Sequence, residues 1–570
     1  MAVPPIQPTR AVAAGPAGLV RVLRAAPLPD VVLGLLVAIA LPLAIVAIPN
    51  TISVVAALLP PGVSQIEMIR AHGLALPVMV LTVPAAAVAV RRTRPAFLVV
   101  AGLALIAAAD AAGGYAASTF AVGCLRALHG VGAGLLVPAT LMMAWGRSPA
   151  LRAVWAATLA VSLVAAQALA LGPLDEVSSW RVSLQPYPML TGVALVLAAL
   201  HLVFWLEKGE DPVRGPAPVP GEQRRSLLVI VPAAGVAALA VGGTFDWSAT
   251  LVVRAALVSL LALLGLATLG APGGAAGRAS AYAMSAVGVV LLPTCAQVTY
   301  VELGGLGGPG LSGLWPAFVI AGVAGLVAAV LAGRLRDAAV PGLAAGGLVA
   351  VMAGLCAVRL FLPTPGGPIL ILPFVLLTVG AAVALTAALR LHGAVSALFA
   401  LSLFFPAVLV GFLLGSGVQV PRLREATTPQ ALVDGFVDAL HLWALIGGGL
   451  VLLVIVLGAV FARLLPGTSA DTGTEGLPGT SDVPGTREAT GAKDPVRGRD
   501  AAVPVVPGAA AEATPPGDGG DTRPRPVPDP AGEPAREPGP DQEKTAVPPV
   551  VVPPPTPSPE DDPANGSTLP

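Results

Sequence analysis

Apolar runs of roughly eighteen residues or more, separated by short polar breaks, recur along most of this chain. A helix needs about twenty such residues to cross a hydrocarbon core of about 30 Å. In lipid only a helix or a closed barrel satisfies its own backbone polar groups, so runs of this length predict membrane-spanning helices. They fall at 31–59, 73–90, 96–113, 119–143, 150–172, 188–206 and 226–243, then at 250–270, 279–301, 314–333, 341–361, 369–389, 393–415 and 441–464. The predicted fold class is an all-α integral membrane protein of about fourteen spans. The first run also reads as a shorter span with an extension kinked at Pro49.

Composition excludes a water-soluble surface. The chain is 55% hydrophobic and 11% charged, where soluble domains carry about 25% charged residues. The formal net charge of zero conceals two regions of opposite sign. Residues 1–466 hold a basic surplus of nine, and residues 467–570 an acidic surplus of the same size. Only three basic residues are lysines (Lys208, Lys493 and Lys544), which with the excess of Ala, Gly and Pro suggests a GC-rich bacterial genome. Cys124, Cys295 and Cys356 each sit in an apolar run without a closely spaced partner, so neither a disulfide framework nor a zinc knuckle follows.

Basic residues concentrate on the cytoplasmic side of membrane proteins. With the N-terminus inside, the inner segments receive Arg10, Arg21, Arg24, Arg91, Arg92, Arg94, Arg147, Arg152, Lys208, Arg214, Arg224, Arg225, Arg278, Arg334, Arg336, Arg390 and Arg463. The outer side receives Arg70, Arg181, Arg254, Arg359, Arg422 and Arg424. This asymmetry predicts a multi-pass plasma-membrane protein with both termini cytoplasmic. The segment 1–30 is a cytoplasmic lead-in, since the run that follows exceeds a signal-peptide core. From Pro466 the sequence turns to Pro, Gly, Ala, Thr and acidic residues. Such a segment cannot bury enough apolar area to offset its ordering entropy, so 467–570 is predicted to be a disordered Pro-rich cytoplasmic tail whose partner the sequence does not name.

An ionisable residue at the bilayer centre costs about 2.5–3.5 kcal/mol on insertion scales and marks a functional or structural need. Arg126 lies in the fourth span, and His129 is one turn away on the same face. Gly130, Gly132 and Gly134 follow and let a neighbouring backbone approach closely. Two readings of Arg126 stand side by side: contact with a substrate or a proton relay, with His129 as a group that titrates near neutrality, or a buried guanidinium bonded to carbonyls. Asn50, Gln167, Gln297, Thr299, Tyr300 and Glu302 are further polar positions that line a pathway or bond helix to helix, with Glu302 at the outer mouth. The Gly304–Gly310 loop carries a dinucleotide-like spacing but follows no strand. There is no phosphate-binding loop, nucleophile motif or metal-ligand spacing, so no enzyme activity, cofactor or nucleic-acid partner is expected.

Four stretches together resemble the major facilitator superfamily, in its fourteen-helix drug:proton antiporter branch. Arg126 through Gly134, followed by Pro138, resembles the fourth-helix motif of that family. Trp180-Arg181 is similar to the Trp-Arg before its sixth helix, and Tyr300-Val301-Glu302 to the Tyr-Leu-Gln ending its ninth. Gly333-Arg334-Leu335-Arg336-Asp337 matches its inner-loop motif, and Ala431–Phe436 is also reminiscent of the branch. Departures accompany these matches. The first-half inner loop keeps only the basic end Arg91, Arg92 and Arg94, the fifth-helix Gly-Pro falls on Gln167-Ala168, the first-helix acid on Asn50, and the fourth-helix Gln on His129.

The resemblance implies six-helix bundles at 31–206 and 279–464, a cytoplasmic linker at 207–225 and an extra helix pair at 226–270. It implies a secondary transporter that exports a small organic compound or drug by alternating access, with protons as the candidate coupling ion. Arg126, His129, Asn50, Gln167, Gln297 and Tyr300 would form the substrate or proton pathway. Arg91, Arg92, Arg94, Gly333, Arg334 and Asp337 would form conformational latches. The alternative is a transport-inactive membrane scaffold or sensor acting through its tail.

Overall fold

The computed structural model describes residues 28–464, apart from 175, 176, 178, 209–226, 246, 304–308, 365, 366, 392 and 425. The expectations for the tail, for residues 1–27, for most of the 207–225 linker and for most of the Gly-rich loop lie outside the described residues.

Helices are the only regular secondary structure among the described residues. In order the helices are α1 (Leu28–Val46), α2 (Gln65–His72), α3 (Ala75–Ala89), α4 (Pro95–Gly113), α5 (Thr119–Trp145), α6 (Pro149–Leu171) and α7 (Pro188–Lys208). There follow α8 (Ile230–Gly242), α9 (Ala249–Leu269), α10 (Gly274–Val301), α11 (Gly310–Arg334), α12 (Val340–Phe361), α13 (Ile371–Leu391), α14 (Ala394–Arg424) and α15 (Pro429–Leu464). With α2 and α3 taken as one span over Gln65–Ala89, 13 helices among the described residues are long and apolar enough to cross a membrane, and α8 is a shorter apolar helix. Apolar side chains fill the interior and also face outward, as Val196, Leu261 and Val323 do. The chain is a multi-pass membrane protein.

Local chemistry sets the helix starts. Ser64, Ser118, Ser148 and Ser248 cap α2, α5, α6 and α9, each accepting a bond from the N–H three residues on. Pro95 and Pro149 occupy the first turns of α4 and α6, where the missing N–H costs nothing. The 31–59 run does not continue as one helix. Helix α1 ends at Val46, just before Pro49, and residues 47–64 form turns and a 3-10 stretch at Ala56–Leu58, because proline cannot donate to the preceding turn. The chain re-enters earlier than the 73–90 run, at Gln65, with a break at Gly73 and Leu74 between α2 and α3. The last helix begins at Pro429, twelve residues before the 441–464 run, because amphipathic turns outside the apolar core extend it.

Helices α1 to α7 pack among themselves, as do α10 to α15. The two halves meet where α6 lies against α10, α11 and α13, and where α3 lies against α14. Helix α11 follows α6 along its whole length: Trp315 lies by Gly172, Gly322 by Val161 and Gly333 by Ala153. Helices α8 and α9 contact each other, and α8 reaches both α3 and α14. We call the end where α1 begins proximal and the end where it stops distal.

Candidate functional site

A cavity of about 1210 Å³ lies at the distal end. The chain segment after α1 supplies Asn50 and Ser53, α2 supplies Glu67 and Arg70, and α5 supplies Phe120, Cys124 and Ala127. Gln167 comes from α6, Gln297 and Tyr300 from α10, Phe412 and Gln419 from α14, and Phe436 from α15. Val241, Thr244 and Phe245, at and just beyond the end of α8, form a further wall. The site therefore draws on both halves and on the intervening helix. Below its lining, α10 and α14 are buried almost throughout, Phe399, Phe404 and Phe405 among them.

Four of the pathway residues singled out in sequence line this cavity: Asn50, Gln167, Gln297 and Tyr300. Asn50 Nδ2 donates to the Ile69 carbonyl at 2.7 Å, and the Tyr300 hydroxyl donates to the Asn50 carbonyl at 3.2 Å, joining α10 to the end of α1. Arg126 and His129 lie elsewhere. On α5, Phe120, Gly123, Cys124 and Ala127 share the cavity face, and Arg126, His129 and Gly130 share another face with its own neighbours.

Arg126 is bonded to backbone carbonyls. Its Nε donates to the His72 carbonyl at 3.0 Å, and its Nη2 donates to the Ala47 carbonyl. Both acceptors stand at helix C-termini, where carbonyls lack a successor N–H and the helix dipole favours a cation. One turn along α5, His129 Nε2 lies 3.4 Å from the Leu43 carbonyl, one turn back on α1. The residues that follow Ala47 and His72 are cavity-lining, so Arg126 props the wall from behind. Its neighbourhood also holds Asp110, a buried carboxylate on α4. Thr191 on α7 donates to Asp110 Oδ2 at 2.7 Å, and His129 Nδ1 stands 3.9 Å from Oδ1. The sequence reading passed over Asp110, although a single acid within the apolar run of α4 was the available signal.

The glycines of α5 face two helices. A Cβ on Gly132 would stand 2.7 Å from the Gly102 carbonyl oxygen of α4, whereas Gly130 and Gly134 press against Ala75 and Thr82 of α3. The proximal latch residues are dispersed. Arg94 stacks 4.5 Å above the Trp205 ring, Arg91 is half-buried, and Arg92 and Arg334 are exposed. Asp337 pairs at 2.7 Å with Arg390 of α13, which also donates to the carbonyls of Ala332 and Leu335 at 2.6 Å. That pair lies within one half, whereas Gly333 packs against Ala153 of the other half.

Glu302, just past α10, is buried and accepts a bond from the Thr364 N–H at 3.2 Å. Burial pushes its carboxyl up to about 7, opposed by that bond. Among the described residues no group of three or more His, Cys, Asp or Glu is arranged to hold a metal ion.

No protein-family model matches the chain, and no curated protein sequence matches it. Among solved structures it aligns with the human organic anion transporter MFSD10 (TETRAN), at a TM-score of 0.45 and 17% identity, over 75% of this chain and 99% of that one. It also aligns with a bacterial homologue of the human lysosomal transporter Spinster, in an inward-facing and unoccupied conformation, at a TM-score of 0.44 and 13% identity, over 76% of this chain and 96% of that one.

Proposed function

We propose that this chain is a secondary transporter of the major facilitator type that exports a small organic compound by alternating access. One observation carries the reading: a cavity large enough for a drug-sized molecule is built jointly by both halves at one end, over a packed floor. The distribution of basic residues supports assigning the distal end to the outside. The length of the α6–α11 contact, close at Gly172, Gly322 and Gly333, supports rocking of the halves about that seam. Protons are the coupling ion, and Asp110 with His129 forms the group that carries them, connected to the cavity wall through Arg126.

Cys124 tests the orientation and the gating, because it is exposed and lines the cavity while Cys295 is buried. In a Cys356→Ser background, a membrane-impermeant maleimide added outside whole cells should label Cys124, and an outward cargo gradient should change the labelling rate. Labelling only from the cytoplasmic side would reverse the assignment. In proteoliposomes, His129→Gln and Asp110→Asn should abolish substrate-driven proton flux; unchanged coupling in both would remove protons from the reading. Deleting 467–570 should leave transport intact, and a scaffold acting through its tail would instead lose its partner while never transporting.

A further inference from the structure

The polar groups of the cavity differ in exposure. Its charged lining among the described residues is Glu67, which is exposed, and Arg70, which is already engaged, its Nε donating to the Thr244 carbonyl at 2.8 Å and its guanidinium 4.4 Å above the Phe245 ring. The less exposed polar lining is mostly amide, from Asn50, Gln167, Gln297 and Gln419, with the hydroxyls of Thr244 and Tyr300. Gln167 is 2% exposed; its side chain interacts with the Tyr300 hydroxyl, but its Nε2 makes no well-formed hydrogen bond among the described residues. Gln297 Oε1 is buried and without a partner in the same sense. Tyr300 and Gln297 lie one turn apart on α10, so one small molecule can reach both amides. The remaining lining is largely apolar and aromatic, with Phe412 and Phe436 among it.

An unpaired buried donor and an unpaired buried acceptor are costly in the empty protein, and a ligand that pairs with both recovers that cost. A charged ligand would lose its hydration, and among the described residues the cavity lining offers no charged side chain besides the exposed Glu67 and the engaged Arg70 to offset that loss. We infer that this cavity selects an uncharged, hydrogen-bonding amphipathic molecule, an organic compound bearing a carboxamide or hydroxyl, whose polar group bonds Gln167 Nε2 and Gln297 Oε1 while its apolar body rests on the aromatic rings. This assignment rests on the cavity being the substrate site, and it makes the two glutamines the specificity-determining residues.

Three probes with one ring system and different head groups test it: 1-naphthaleneacetamide, 1-naphthaleneacetate and 1-naphthylmethylammonium. Each is titrated against full-length Cys356→Ser protein in nanodiscs, and protection of Cys124 from a maleimide is read as a dissociation constant. The acetamide should bind at least about tenfold more tightly than either charged probe. Gln167→Met and Gln297→Met should each weaken it by roughly 10- to 100-fold. Because Gln297→Met removes an unpaired buried acceptor, the thermal midpoint of that ligand-free variant should hold or rise while its affinity falls, a combination that a purely structural role does not give. Equal or better protection by a charged probe, wild-type affinity in both variants, or no protection by any of the three overturns the inference. Nanodiscs present both faces to the reagent, so this result is independent of the sidedness and flux experiments that test the transporter reading.

Discussion

The Nε of Arg126 donates to the carbonyl oxygen of His72 across 3.0 Å, so a cation inside the membrane terminates a helix that forms one wall of the cavity. The same guanidinium takes up the Ala47 carbonyl at the end of α1. A residue placed this way acts on the cavity through the backbone.

Arg126→Ala should therefore destabilise the protein. It leaves two buried carbonyls unpaired and removes the cation facing Asp110, a loss of at least about 2 kcal/mol. Thermal unfolding in detergent measures it. Arg126→Ala combined with Asp110→Asn should recover part of the loss, and a single variant as stable as wild type would contradict the capping role.

Gly132 and Gly192 make a matched pair. A methyl group at Gly132 meets the Gly102 carbonyl oxygen at 2.7 Å, whereas one at Gly192 meets nothing within 4 Å. Gly132→Ala should cost about 1–3 kcal/mol through overpacking of α4 on α5. Gly192→Ala should be neutral or stabilising by up to about 1 kcal/mol. The comparison fails if the two variants melt together.

At the proximal end, Asp337→Asn should lower stability by less than about 1 kcal/mol, because the carboxylate is exposed and solvent screens its pair with Arg390. Arg390→Ala should cost more, since the carbonyls of Ala332 and Leu335 lose their donor as well. Transport by Asp337→Asn should fall further than its expression does. Equal stability losses in the two variants would show that the carbonyl bonds are not what Arg390 contributes, and transport falling only in step with expression would remove the conformational role of Asp337.

Glu302 supplies a pH dependence. Its carboxyl is pushed from 4.5 up to about 7 by burial, so the folded state holds its proton more tightly than the unfolded state does. Stability from this group is present below about 4.5 and is lost as pH rises towards about 7. The melting temperature of the wild type should fall across that window, and Glu302→Gln should flatten the fall. An unchanged slope in the variant would assign the dependence to another group.

Periodic runs and their breaks made the membrane helices legible in sequence, since a span depends on some twenty consecutive side chains meeting lipid. The same local reading located the close-packing glycines of α5 and identified Asn50, Gln167, Gln297 and Tyr300 as polar positions within or beside spans. It overestimated α1 because hydropathy continues past Pro49 while the backbone cannot. Position relative to the cavity was not local information. Which carbonyls Arg126 bonds depended on where α1 and α2 end, and those ends lie 79 and 54 residues away in sequence. Asp110 gained meaning only beside Thr191 and His129, and α8 became a cavity wall only by packing against α3 and α14. Sequence alone thus determined which segments enter the membrane, because insertion is decided span by span. The tertiary structure decided which face of each helix meets the cavity, because that follows from contacts between helices distant in the chain.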